Sequence, residues 1–362
     1  MANGKMFHGC LQQNVFAILA LVLGLMSAGC ASTPGKMLRR RGDEIMVAGQ
    51  LFHTGTRVVL WSDPGGYDAY RVERRFAPRE EADWDHSRTN PASPRTPNRY
   101  GLRAGGLTKA ELERVRGGGW DLALLRRQVD QLVLHYDAVG TSRACFKVLQ
   151  DERGLSTHFL LDLDGTIYQT LDVKERAWHA TTSNDRAVGV EIANIGAFAE
   201  NQANPFARWY QTNGSGRTII TIPGGAAVER TANFEARPAR RGVVRGEVQG
   251  QELRQYDFTV EQYRALARLT AALCTALPGI RCDYPRDAAG KLADAKLPDA
   301  QLKDYQGVLG HWHIQTDKVD PGPALQWDYV IGQARRLMKL PVLPRDARGQ
   351  PIEWRPKLIQ DN

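Results

Sequence analysis

The sequence predicts an α/β protein, and three observations carry that prediction. Residues 132–136 and 187–194 are short β-prone runs, each read as a strand. Asp164-Gly165 lies between two further β-prone runs, a strong signal for a hairpin. After Thr259, the residues Tyr263, Leu266, Ala267, Leu273 and Leu277 recur at helical spacing and form an apolar face suited to packing on a sheet. With 362 residues, 42% apolar and 24% charged, the chain is long enough for a large core and too apolar for disorder. One elaborated domain, or one domain with a smaller companion, is expected.

A net charge of +8 and a pI near 9.3 favour polyanionic surroundings: nucleic acid, anionic lipid or an acidic wall polymer. No Lys/Arg-rich block with interleaved aromatics stands out, so nucleic acid is not expected as a partner. The N-terminus chooses among the rest. Lys5 and His8 precede an uncharged apolar run at residues 15–26, and Ser27-Ala28-Gly29 then lead to Cys30. That run is short for a membrane span and has the layout of a secretory signal. The Ser-Ala-Gly-Cys junction resembles a bacterial lipobox, which implies removal of residues 1–29 and lipidation of Cys30; an uncleaved anchor or ordinary secretion is the alternative. Ala31 in place of an aspartate implies sorting to the outer membrane, with the protein facing the periplasm. Acyl chains on Cys30 would hold the chain to the membrane while leaving the fold in water, and residues 30–42 serve as anchor and tether. Of the remaining cysteines, Cys274 and Cys282 are close enough in sequence to pair in an oxidising compartment, and Cys145 is left single.

Residues 43–119 form an N-terminal extension in which no chemistry is recognisable. Asp63-Pro64-Gly65-Gly66 reads as a turn between strands at 58–61 and 67–72, and residues 77–103 read as an irregular loop. Thr108 caps a helix starting at Lys109, with Glu111 completing a capping box. His53 reads as structural. From residue 120 the chain becomes informative. A helix at 120–130 leads into the strand at 132–136, where Val133 and His135 share a face opposite to Leu132 and Leu134. Trp178-His179 places an aromatic and an imidazole side by side in a loop. In the strand at 187–194, Glu191 stands among apolar neighbours, and a buried carboxylate is costly unless it is paired or put to use. It reads either as a salt bridge to Arg186 or as a general base with a raised pKa.

The stretch 310–323 gathers His311, His313, Lys318 and Asp320 and closes on Pro321-Gly322-Pro323. Asp320 precedes a proline, which biases it toward extended backbone. In an extended segment Lys318 and Asp320 point the same way, either as a surface ion pair or as groups of one site. A carboxylate on a fixed backbone makes the better metal ligand, because its ordering cost is already met.

His135, Ser156-Thr157-His158, Asp164-Gly165-Thr166-Ile167-Tyr168, Ala177-Trp178-His179-Ala180, Gly189-Val190-Glu191, Gly310-His311 and Lys318 through Pro323 occur in an order that resembles the zinc-dependent N-acetylmuramoyl-L-alanine amidases. These share their fold with peptidoglycan recognition proteins, and the bacterial branch with outer-membrane lipoprotein amidases is the most similar. The resemblance covers residues 131–198 and 259–332. It implies a central mixed β-sheet flanked by helices, in an amidase domain at 120–340 with an insertion at 199–257 and an extended tail at 341–362. It implies zinc as cofactor, with His135, His311 and Asp320 as ligands; His313 is the competitor for His311, and the matched glycine before His311 favours the latter. Two imidazoles and a carboxylate leave a fourth tetrahedral position open, the pattern of a catalytic rather than a structural zinc. Glu191 and Lys318 match the catalytic carboxylate and the lysine beside the ligand. Trp178, His179 and Asn184 match loop residues near the substrate. The implied reaction is hydrolysis of the amide between N-acetylmuramic acid and L-alanine in peptidoglycan or muropeptides, by a monomer, for wall turnover or recycling. The insertion leaves the strand of the presumed base and is placed to wall or cover the cleft, with a hairpin expected at 217–228. The alternative is a non-catalytic peptidoglycan-binding envelope lipoprotein, against which the complete ligand set with Glu191 and Lys318 argues.

Overall fold

A computed structural model describes residues 34–82, 98–224 and 230–341. The signal segment, Cys30 and residues 342–362 lie outside the described residues. The chain divides into two units, Met1–Arg41 and Gly42–Asn362. Of the first, residues 34–41 are described and form neither helix nor strand.

In the second unit, β1 (Glu44–Val47) and β2 (Gln50–His53) form a hairpin, and β3 (Val58–Leu60) follows it. β4 (Tyr100–Leu102) leads to the helices α1 (Lys109–Arg116) and α2 (Leu122–Gln128). The capping box of α1 forms as expected, with the Thr108 side chain accepting from Glu111 N and Glu111 reaching back to Thr108. Next come β5 (Gln131–Tyr136), α3 (Ser142–Lys147), β6 (Phe159–Leu161), β7 (Ile167–Gln169), β8 (Glu175–Ala177) and β9 (Ala187–Ile192). The 199–257 region holds β10 (Phe198–Ala199), α4 (Phe206–Trp209), β11 (Tyr210–Thr212), β12 (Thr218–Ile220), β13 (Val243–Val248) and β14 (Gln251–Tyr256). The chain then runs through α5 (Val260–Ala276), α6 (Asp299–Asp304), β15 (Gly307–Gly310) and α7 (Trp327–Leu337).

The central sheet has the order β15-β5-β9-β6-β7-β3. Its first four strands are parallel, β7 runs antiparallel to β6 through the Asp164-Gly165 turn, and β3 is parallel to β7. The sheet is therefore mixed and flanked by helices, as expected. One face carries Leu132, Leu134, Val188, Val190, Phe159 and Ile167 into the main core, beneath α5 and α7. α5 presents Tyr263, Leu266, Leu269 and Leu273 to this core, each almost fully buried. Its Thr259–Gln262 capping box is formed, and the rings of Phe258 and Tyr263 meet edge-on at 5.9 Å. Each buried leucine contributes roughly 1.5–3 kcal/mol.

The opposite face is split. Val133 and Leu309 join Leu297 and Ile314 in one small cluster, while Leu160, Tyr168 and Val59 join Tyr67, Cys145 and Phe146 in another. Between them the sheet carries His135, Gly189 and Glu191.

Several local expectations change. Residues 67–72 form no strand; Tyr67 instead stacks on Phe146 at 5.1 Å and against Tyr168 at 4.5 Å, so ring packing replaces a ladder. The N-terminal extension supplies the edge strand β3, and β4 pairs with β8. Its Arg103 is fully buried and donates to the carbonyls of Val173, Asn184, Asp185 and Ala187 at 2.9–3.1 Å. The hairpin expected at 217–228 is formed instead by β11 and β12, with its turn at Asn213 to Gly216. Cys274 and Cys282 are free buried thiols, with Cys274 donating to Cys282.

Candidate active site

The strand register assembles the site. In the parallel pair β5/β9, His135 stands opposite Glu191, so both side chains project from one face at neighbouring positions. β15 pairs with β5 up to Gly310 opposite Leu134, which delivers His311 at the level of His135. All three strands end at the same edge, where the carboxyl ends of parallel strands open a crevice.

Asp320 returns to this edge from the loop after His311. His135 Nδ1 lies 2.8 Å from Asp320 Oδ2, His311 Nδ1 lies 3.0 Å from the same oxygen, and the two nitrogens stand 3.1 Å apart. Nitrogen and oxygen ligands of a tetrahedral zinc, at about 2.0–2.2 Å from the metal, stand about 3.3–3.5 Å from one another. The three residues thus fit one divalent cation, with all three buried. Hydrogen bonds orient the rings for that role. His311 Nε2 donates to Gln315 Oε1 at 2.8 Å, leaving Nδ1 with its lone pair toward the cluster. His135 Nε2 lies 3.1 Å from His179 Nδ1 and donates to it when Nδ1 of His135 is kept as ligand. His313, the competitor, is excluded: its Nδ1 accepts from Gly310 N at 2.8 Å and its Nε2 donates to Ala293 O at 2.8 Å.

Burial alone would raise the pKa of Asp320, but the adjacent imidazoles of His135 and His311 outweigh it and hold the carboxyl well below the usual range. His135 is also shifted down, with burial and then the neighbouring His311 disfavouring its protonated form. Both shifts leave the donors in the states a metal needs, a carboxylate and a neutral imidazole.

A cavity of about 330 Å³ opens on this cluster, and its walls include Glu191, Lys318, Trp178 and His179. Glu191 does not pair with Arg186, whose guanidinium Nε donates to Asp130 at 2.6 Å. Burial pushes the Glu191 carboxyl well above its ordinary value, and Asp320 and Asp137 push it further. Lys318 lies 3.6 Å from Asp317 rather than pairing with Asp320. His179 packs flat on β9 where Gly189 leaves room; a Cβ there would lie 2.7 Å from the His179 ring. Its buried Nε2 has no hydrogen-bond partner among the described residues, while the residue itself lines the cavity.

Asn184 is placed differently from expectation. It is buried behind the loop, and its Oδ1 accepts from His179 N at 3.1 Å and Ala180 N at 2.7 Å, which makes it the support of His179 rather than a wall of the cavity. The insertion also departs from expectation, since none of its described residues lines the cavity. Two of its arginines are held by carboxylates of their own region, Arg240 by Asp257 at 2.6 Å and Arg245 by Glu200 at 3.5 Å. Gln315 and the cavity-lining Arg153 went unnoticed in the sequence. The one available signal was the four-residue spacing of Gln315 from His311.

Fold and site together define an α/β protein with a two-histidine, one-aspartate cluster and an adjacent half-buried glutamate at the carboxyl edge of its parallel strands. The profile of the N-acetylmuramoyl-L-alanine amidase family matches residues 125–323, more than half of the chain, and the chain belongs to that family. No curated protein matches it. Among solved structures, a selenomethionine derivative of AmpD is 18% identical with a TM-score of 0.30, over 67% of this chain and 90% of that one. The amidase AmiD from E. coli, in complex with an anhydro-N-acetylmuramic acid peptide, is 19% identical with a TM-score of 0.30 over 57% of each chain. An endolysin from Clostridium intestinale, LysCS, is 14% identical with a TM-score of 0.30, over 60% of this chain and 88% of that one. Superpositions this loose do not bear on function.

Proposed function

We propose that the chain is a zinc-dependent hydrolase of the amide between N-acetylmuramic acid and L-alanine in peptidoglycan or muropeptides. The observation that carries this reading is the convergence of His135, His311 and Asp320 within 3.1 Å of one another beside Glu191, on one cavity. A zinc ion held by these three residues would supply Lewis acidity toward the scissile carbonyl and toward water. The chain's own groups do the rest. Glu191, with its raised pKa, takes a proton from the attacking water and returns it to the leaving alanine nitrogen. The Lys318 ammonium faces the charge that develops on the carbonyl oxygen. Trp178 offers an apolar surface to the bound muropeptide, and His179 steadies the ring of His135 beside it.

The sequence supports export and lipidation at Cys30, hence an outer-membrane lipoprotein on the periplasmic side, and the reading extends to a role in wall turnover or recycling. No helix among the described residues is long and apolar enough to cross a membrane. Purified sacculi and soluble muropeptides, incubated with the zinc-loaded protein, test the catalytic reading. Release of free stem peptides, abolished by chelation and by Glu191→Gln, is expected. A protein that sediments with sacculi and releases nothing is a receptor, and the hydrolase reading fails.

A further inference from the structure

The second hairpin of the insertion reaches the loop that carries the candidate ligands. β13 and β14 pair along their length with Val248 opposite Gln251, which leaves Gln249 and Gly250 as a two-residue turn. Both have left-handed backbones, with φ of 56° and 70°, as a type I′ turn requires. Asparagine, aspartate or glycine is the usual first residue of such a turn, and glutamine is not. The side chain supplies the reason. Gln249 Nε2 donates toward the carbonyls of Trp312 at 2.9 Å, Gln315 at 2.8 Å and Lys318 at 3.4 Å, so one amide gathers three points of the ligand loop. On its other side, Gln249 Oε1 accepts from Lys296 N at 3.1 Å, and Gln249 N donates to Asp294 O at 2.7 Å. Further along the hairpin, Gln255 Nε2 donates to Pro321 O at 3.1 Å, and Gln255 Oε1 accepts from Ala324 N at 2.9 Å. The two glutamines therefore hold the chain before and after Lys318 and Asp320, and neither lines the cavity.

We propose that this hairpin is a splint and Gln249 its positioning residue, fixing residues 311–320 so that His311 and Asp320 meet His135 in ligand geometry and Lys318 faces the cavity. Beyond the single helical turn at His311–His313, the loop has no regular structure of its own. Without the splint it must be ordered anew each time a metal binds, and the loss falls on metal affinity and turnover rather than on the sheet beneath. The proposal rests on the zinc amidase reading for its metal readout.

The test uses the full chain with Gln249→Ala and the nearly isosteric Gln249→Glu, which removes the donors. Gln251→Ala, an exposed neighbour on the same hairpin, is the control. Zinc affinity is measured by competition with a chromophoric chelator, hydrogen exchange is followed in residues 311–320 and in α5, and kcat and KM are determined on a muropeptide. Both Gln249 variants are expected to bind zinc about tenfold or more weakly, the range for groups that orient metal ligands. They should lose kcat with KM nearly kept, and exchange faster in the loop but not in α5, while Gln251→Ala matches the parent. Parent-like zinc affinity and kcat in Gln249→Glu, or exchange raised equally in α5, overturns the splint. A parent chain that binds no zinc defeats the amidase reading itself, which is a distinguishable result.

Discussion

Glu191, half-buried at the cavity, and His158, fully buried, show how one fold sets two ionisable groups to opposite ends. Glu191 faces the cavity with its pKa raised by burial and by Asp320 and Asp137. A base must be ionised to accept a proton, so the acid limb of kcat/KM should lie above the ordinary glutamate value of 4.5. Glu191→Gln should lower kcat by about 10²–10⁴-fold; a pH–rate series on both proteins checks this, and a limb at or below the ordinary value would refute it. His158 lies behind the site, its Nδ1 accepting from Gly189 N at 3.1 Å and its Nε2 donating to Glu175 O at 2.9 Å. Burial, then the Arg103 guanidinium, pushes it down to about 3 from its ordinary 6.5. Between those two values the unfolded chain binds a proton that the folded chain does not, so stability falls as pH drops through that window, by up to about 1.4 kcal/mol per pH unit. Urea unfolding at several pH values should show a shallower acid loss in His158→Asn. These positions were partly legible in the sequence. Period-two alternation put His135 on a defined face and marked Glu191 as an anomaly, whereas the role of His158 depends on Glu175 and Gly189, 17 and 31 residues away, and that of Asn184 on a loop bend that brings back the backbone of His179 and Ala180.

At the level of elements, the capped helices α1 and α5 and the β6/β7 hairpin appear where local chemistry places them. Capping boxes and an Asp-Gly turn act over a few residues, so they survive any tertiary context. The turn at Asn213 to Gly216 and the missing strand at 67–72 are the contrary cases, since strand pairing is chosen by the partner that completes the ladder. Arg103 ties the N-terminal extension to the loop behind the site. Its burial lowers its own pKa to about 9, and its donors are committed to the loop that leads into β9. Arg103→Ala leaves several buried carbonyls unsatisfied and should cost about 3–5 kcal/mol. Arg103→Lys should not restore it, because an ammonium cannot span the same carbonyls. Denaturant unfolding of both variants decides; a loss below about 1 kcal/mol would show that water replaces the guanidinium.

For the whole molecule, the metal reading makes a stability prediction. A ligand that binds the folded chain alone stabilises it by mass action, by about 2.7 kcal/mol at a hundredfold excess over Kd. Thermal melting should therefore shift downward after chelation and recover with added zinc, and the shift should vanish in His135→Ala. An unchanged melting temperature in the parent would remove the cation from the site.

The sequence by itself determined the alternation of strands and helices, their caps and turns, the resemblance that gathers His135, Glu191, His311 and Asp320, and the charge of the chain. Those features are local, or recur as motifs in a fixed order along the chain. Only the tertiary structure decided how His313 is spent, on Gly310 and Ala293, that Asn184 supports the loop instead of facing the cavity, and that the insertion braces the ligand loop instead of covering the cleft. Each of these is a choice of hydrogen-bond partner across some tens of residues, up to 69, or within a few, and a donor or acceptor shows its commitment only when the fold brings its partner within reach.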